Sequence, residues 1–162
     1  MKFYKLDHEA TMEDIKQFNY PNQKLAVIAH IKDINGKILL QKRGPKSRDE
    51  NGLYQDISGK VESYDFSFKN AIKREIKEEI GNDANIEINS SLGIYHLFKN
   101  NINWLFIVFD CRYLGGKLKI MEKGKCLGYD FFYFEEIDNS PLVTKSSKFL
   151  NNELKKLLSN LR

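Results

Sequence analysis

The spacing of apolar positions changes several times along the chain, and each change marks an element. Residues 1 to about 23 are polar overall and read as a lead-in, with Pro21-Asn22 turning the chain before the core begins. Leu25 to Ile34 (L-A-V-I-A-H-I-K-D-I) has the composition of a strand. Asn35-Gly36 is a strong hairpin signal, and Lys37 to Arg43 returns as a second strand. A helix follows, with Ser67 as its N-cap, Phe68, Ile72, Ile76 and Ile80 four residues apart, and Gly81 just past its end. Ile86 to Phe98 is extended but interrupted at Ser90-Ser91 and Gly93, and Asn100-Asn101 turns the chain. Trp104 to Phe109 is continuously apolar and predicts a central strand buried on both faces, so Trp104 is expected in the core. After a turn at Gly115-Gly116, Lys117 to Ile120 predicts a short strand and Tyr129 to Phe134 another, with Phe132 as core. Phe149, Leu150, Leu154, Leu157, Leu158 and Leu161 then follow helical spacing within a closing amphipathic helix over 146–161. Strands before, between and after two helices predict an α/β (α+β) chain with a mixed sheet and a helix on each face.

The first helix carries an anomaly. At about 100° per residue, Glu79 projects only about 20° from Ile72, inside the apolar stripe. Glu75 and Glu78 flank it, while Lys69, Asn70, Lys73, Arg74 and Lys77 take the opposite side, so acids and bases are sorted by face. Solvated surface charge accounts for Lys73 and Lys77. It does not account for an acid among isoleucines, because partly buried carboxylates ~6 Å apart repel by about 3 kcal/mol at an effective dielectric near 20. A cation is therefore expected beside them, and oxygen-only anionic ligands suit Mg²⁺ or Mn²⁺, which shares its coordination with substrate phosphates.

Composition narrows the rest. The chain has 162 residues, 41% of them hydrophobic, which is enough for one globular domain over 1–162. The net charge of +4 favours an anionic small molecule but is too small and scattered for duplex nucleic acid. Cys111 and Cys126 form neither a metal-spacing pair nor a disulfide framework. The N-terminus lacks the apolar segment of a leader and no run is long enough to span a membrane, so a reduced cytoplasm is the expected compartment. His30 has no partner histidine and is given no role. Among the cations Arg43, Lys46 and Arg48, the last two read as a solvated loop. Arg43 ends a strand ahead of the acidic helix and is the candidate to hold two phosphate oxygens with its fork.

The stretch from Ser58 to Gly81 resembles the signature of the Nudix hydrolases, which is Gly, five residues, Glu, seven residues, then Arg-Glu-apolar-x-Glu-Glu-x-Gly-apolar. Gly59 opens it, and Arg74-Glu75-Ile76-Lys77-Glu78-Glu79-Ile80-Gly81 matches its closing half residue for residue. The first acid is Asp65 in place of Glu, one extra residue lies between it and Arg74, and Asn82 stands at the last apolar position. An insertion between Phe66 and Asn70 falls in the loop or first helical turn, where added length is tolerated. The resemblance implies a three-layer α/β/α sandwich and a Mg²⁺-dependent (or Mn²⁺-dependent) hydrolase of a diphosphate linkage in a nucleoside diphosphate derivative. It implies Glu75, Glu78 and Glu79 as metal ligands, with Glu75 favoured as the base, and a backbone carbonyl at Ser58 or Gly59 completing the metal shell. Arg74 would orient the acids by pairing with Asp65 while pointing away from the carboxylate face.

A second segment, Glu122-Lys123-Gly124-Lys125-Cys126-Leu127-Gly128-Tyr129, is similar to the Glu-Pro-x-Lys-Cys-x-Gly-Trp stretch of some nucleotide-cleaving members, with Lys123 for Pro and Tyr129 for Trp. That similarity implies an outer metal contact from Glu122 and a phosphate contact from Lys125; an ordinary charged loop is the alternative. Two rival functions remain on the same fold, a prenyl-diphosphate isomerase and a nucleotide-sensing domain without turnover. The expected partner is a small nucleotide, with a homodimer left open.

Overall fold

The computed structural model describes residues 1–159. Its strands are β1 (Lys2–Lys5), β2 (Gln23–Lys32), β3 (Ile38–Arg43), β4 (Tyr54–Gln55), β5 (Ile57–Lys60), β6 (Ala84–Lys99), β7 (Ile102–Gly116) and β8 (Cys126–Phe132). Its helices are α1 (Met12–Ile15), α2 (Phe68–Ile80), α3 (Phe134–Asn139) and α4 (Lys145–Ser159).

All eight strands join one mixed sheet in the order β1-β6-β7-β2-β3-β4, with β5 on β2 and β8 on β3. The centre is β2, parallel to β7 from Gln23↔Asn103 to Lys32↔Arg112 and antiparallel to β5 from Ala26↔Lys60 to Ala29↔Ile57. Alternation along β2 sends Val27, Ala29 and Ile31 to one face, where they pack with Phe68, Ala71, Ile72, Ile76 and Ile80 of α2. Ile28 goes to the other, against Leu150 and Leu154 of α4. Each fully buried Leu or Ile contributes about 1.5–3 kcal/mol, so the two stripes suffice to seat a helix on each face.

The hairpin at Asn35-Gly36 forms as expected, with Gly36 at φ 79° and Asp33 Oδ1 accepting from the backbone N–H of Asn35 and Lys37 at 2.9 Å each. The interruptions at Ser90-Ser91 and Gly93 are β-bulges that shift the β6–β7 register. The lead-in is not loose: β1 pairs with β6 from Lys2↔His96 to Lys5↔Gly93, and Ala10 and Ile15 are buried. Lys117 to Ile120 forms no strand; Lys117 and Lys119 donate to the carbonyls of Asp83 and Ile80 and tie this segment to the end of α2. The last predicted strand begins and ends earlier, at Cys126–Phe132, and Phe134 opens α3. Phe132 packs with Tyr54 as expected of core. Leu161 lies outside the described residues. Among those described, no helix is long and apolar enough to cross a membrane.

Candidate active site

The signature folds as β5, a short loop and α2. Ser67 caps α2, its Oγ accepting from Asn70 N–H at 3.0 Å, and Gly81 ends it at φ 93°. Before the cap, Ser63–Asp65 form one 3₁₀ turn, and Phe66 is left-handed at φ 66° with 92% of its surface exposed. The chain absorbs the irregular length of the signature in this loop, leaving the register of α2 intact.

Asp65 is buried and takes two bonds from Arg74, Nε to Oδ1 at 2.7 Å and a terminal nitrogen to Oδ2 at 2.8 Å. Arg74 also donates to the Lys60 carbonyl at 2.9 Å, to Glu75 at 2.9 Å and to Glu78 at 3.2 Å. This corrects the expected sorting by face: the long Arg74 arm wraps back to the acids instead of pointing away from them. The Arg74 guanidinium holds the Asp65 carboxyl below its ordinary value, and Asp65 in turn raises that of Arg74.

Glu75 is buried against Gly59, where a Cβ would lie 1.8 Å from the Glu75 carboxyl carbon. Glycine is required there because the backbone of β5 forms one wall of the acid's seat. Burial pushes the Glu75 carboxyl up despite Arg74. Glu79 makes no ion pair among the described residues, and burial, then Glu122 and Glu75, push it up to about 7. Lys125 pulls in the opposite direction but is paired with Glu122 at 3.2 Å. Among the described residues no three His, Cys, Asp or Glu side chains already converge on one point as a metal site, since Arg74 draws Glu75 and Glu78 toward itself. The donor set nevertheless fits a hard divalent ion: crowded carboxylates, one of them pushed up chiefly by burial, beside the glycine-backed β5 strand.

Two cavities adjoin, and one of them borders Glu79. One, about 540 Å³, brings Glu79, Lys125, Lys46 and Arg48 together with Ser58. The other, about 390 Å³, is bounded by Trp104, Phe106, Asp56 and Lys99. Arg43, Arg48, Gln55 and Ser58 line both, so the two cavities adjoin. Trp104 is thus only partly core: along β7, Leu105 and Ile107 are buried while Trp104 and Phe106 stack with centroids 5.8 Å apart on the cavity side. Lys46 and Arg48 are exposed in a loop, as expected, and that loop borders the cavity beside Glu79. Arg43 lies where a phosphate contact is expected, but its fork is engaged by the Asp49 carbonyl at 2.7 Å and carboxylate at 3.1 Å. Glu122 and Lys125 belong to the turn at the Glu79 end, and the Tyr129 hydroxyl anchors that turn by donating to the Glu79 carbonyl. Asp56 went unsuspected because a single acid between Gln55 and Ile57 carries no periodic signal.

A mixed sheet between two helices, with an acid-bearing loop and helix beside a cation-rimmed cavity, defines an α+β protein of the Nudix fold. The chain belongs to the Nudix hydrolase family, whose NUDIX domain model matches residues 22–152. A MutT protein from Methanosarcina mazei Go1 shares 22% identity and a TM-score of 0.74 over 86% of this chain and 98% of that one. The NUDIX domain of Shewanella oneidensis NrtR, solved with ADP ribose, shares 15% identity and a TM-score of 0.65 over 92% and 99%. A UDP-X diphosphatase shares 20% identity and a TM-score of 0.68 over 95% of this chain and 74% of that one. At these identities the likeness is one of fold. No curated protein matches the chain in sequence.

Proposed function

We propose that this chain hydrolyses the diphosphate linkage of a nucleoside diphosphate joined to another group, with Mg²⁺ or Mn²⁺ as cofactor. The carrying observation is the pair of adjoining cavities, one acidic and cationic beside Glu79 and the other aromatic beside Trp104, which suits a ligand with phosphates at one end and a flat base at the other. Similar folds bear names that point the same way, one solved with ADP ribose and one called a UDP-X diphosphatase.

Glu75, Glu78, Glu79 and the carbonyl of Ser58 or Gly59 would hold the metal, which supplies charge neutralisation and an acidified water when bound. Asp65 fixes Arg74, and Arg74 fixes the Glu75 and Glu78 carboxylates, so the acids present a set orientation. Lys125, Lys46 and Arg48 bind phosphate oxygens. A Glu75 carboxylate oxygen takes the proton of the attacking water as the phosphorus–oxygen bond of the bridge breaks, giving a nucleoside monophosphate and a second phosphorylated product.

The test is product analysis with Mg²⁺ on ADP-ribose, a UDP-sugar, a nucleoside triphosphate, a dinucleotide and a prenyl diphosphate. The expected products are monophosphates from the nucleoside compounds, with kcat/KM about tenfold or more above the prenyl one. Glu78→Gln should lower turnover by about a hundredfold while leaving the metal-free melting temperature unchanged or higher. An isomerised prenyl compound, or nucleotide binding without turnover, would replace the hydrolase reading by one of its rivals.

A further inference from the structure

The aromatic cavity contains a charge that the diphosphate chemistry does not use. Asp56 lines that cavity and is 4% exposed. Its backbone N–H is bonded by Ser147 Oγ at 2.9 Å, and its two carboxylate oxygens share one donor, Asn151 Nδ2, at 3.3 and 3.1 Å. An ionised carboxylate offers about four acceptor positions, so most of this one's capacity is unspent. Among the described residues no lysine or arginine pairs with it. Of the cations lining the cavity, Arg43 is committed to Asp49 and Lys99 to Asp49 and Glu50, while Arg48 and Lys60 line it without an ion pair to Asp56 among the described residues. A buried acid with a single donor is costly unless something else donates to it.

Its surroundings indicate what that is. Trp104 and Phe106 line the same cavity and supply aromatic, apolar surface beside the acid, which suits a planar ring. A carboxylate has only acceptors, so it complements a ring edge carrying two adjacent N–H donors. Guanine presents such an edge, with its ring N–H beside an amino group. Adenine and cytosine alternate donor with acceptor, and uracil flanks its one N–H with carbonyls, so each would set a lone pair against the acid.

We propose that Asp56 selects the base in this cavity by accepting two hydrogen bonds from a guanine-type edge. The inference deepens the proposed function and rests on it for the placement of the phosphates, but the base preference is measurable without turnover. A ribose diol would also offer two adjacent donors; the aromatic lining favours the base.

The experiment is calorimetric binding of GMP, dGMP, IMP, AMP and UMP to the full chain and to Asp56→Asn. GMP and dGMP should bind about tenfold or more tightly than AMP or UMP, a ratio equivalent to about 1.4 kcal/mol. IMP, which lacks the amino group, should fall between. Asp56→Asn, with an unchanged circular dichroism spectrum, should lose the preference. If that variant does not fold, the GMP, IMP and AMP series on the unaltered chain decides the matter alone. Equal affinities, no binding of any monophosphate, a preference that survives Asp56→Asn, or a preference lost in dGMP each overturn the proposal. A GMP preference without hydrolysis of any diphosphate sinks the hydrolase reading and leaves this one standing, whereas turnover with equal affinities sinks only this one.

Discussion

Asp65 and Arg74 show how much one pair arranges. The bidentate contact consumes both oxygens of a buried acid, and the remaining donors of Arg74 hold two of the three helix glutamates. Asp65→Ala should destabilise by about 1–2 kcal/mol, the low side of a buried-pair loss, because Arg74 is 19% exposed and keeps Glu75 and Glu78. That corresponds to a fall of roughly 2–8 °C in melting temperature. Activity should drop more than stability, since the acids lose their alignment, and Asp65→Glu should be the milder change. The check is calorimetry beside kcat for both variants; a silent Asp65→Ala with a damaging Glu62→Ala would transfer the role to Glu62.

The loop before α2 carries its irregularity at one residue. Phe66 is left-handed, which costs a residue with a Cβ about 1–2 kcal/mol, and its ring gains little in return because it stands in solvent. Glycine relieves that strain and gives back about 0.5–1 kcal/mol through the freer unfolded chain. Phe66→Gly should therefore stabilise by about 0.5–1 kcal/mol, or roughly 1–4 °C, with kcat unchanged. A lower melting temperature would mean that the exposed ring is held by contacts in solution.

Across the whole molecule, the interface of β2, β5 and α4 buries two titratable groups with opposite effects. Burial lowers His30 to about 3, and burial raises Asp56 to about 6. The neutral His30 contributes stability that is full above the unfolded value of 6.5 and is lost as pH falls toward 3, because the unfolded chain then binds the extra proton. Asp56 acts in reverse: its contribution is full below 3.8 and is lost as pH rises through about 6. Between those limits the two slopes oppose each other. Asp56→Asn should stabilise at pH 7 by on the order of 2–3 kcal/mol, and its amide can meet the unpartnered Asn151 Oδ1. The variant should then lose about 2 kcal/mol on going to pH 5, where the unaltered chain stays nearly flat. Urea denaturation at the two pH values checks this; parallel behaviour of the two proteins would refute it.

What the sequence by itself determined was local and periodic. The α2 boundaries, the Asn35-Gly36 hairpin and the interruptions near Ser91 and Gly93 were legible, because each depends on spacing or turn chemistry. Tertiary structure alone decided what depends on distant partners. Lys2–Lys5 became a strand because β6 offered it an open edge, and Lys117–Ile120 did not because its backbone donors went to the end of α2. Arg74 turned to the acids because Asp65 and the Lys60 carbonyl lie across the loop from it. Trp104 and Phe106 read as core because alternation shows that a strand has two faces but not what covers each one, and here one face borders a groove. Asp56 became the acid of that groove only when α4, about 90 residues further along the chain, closed over it: burial is a property of the packed molecule, and no single acidic letter between two others encodes it.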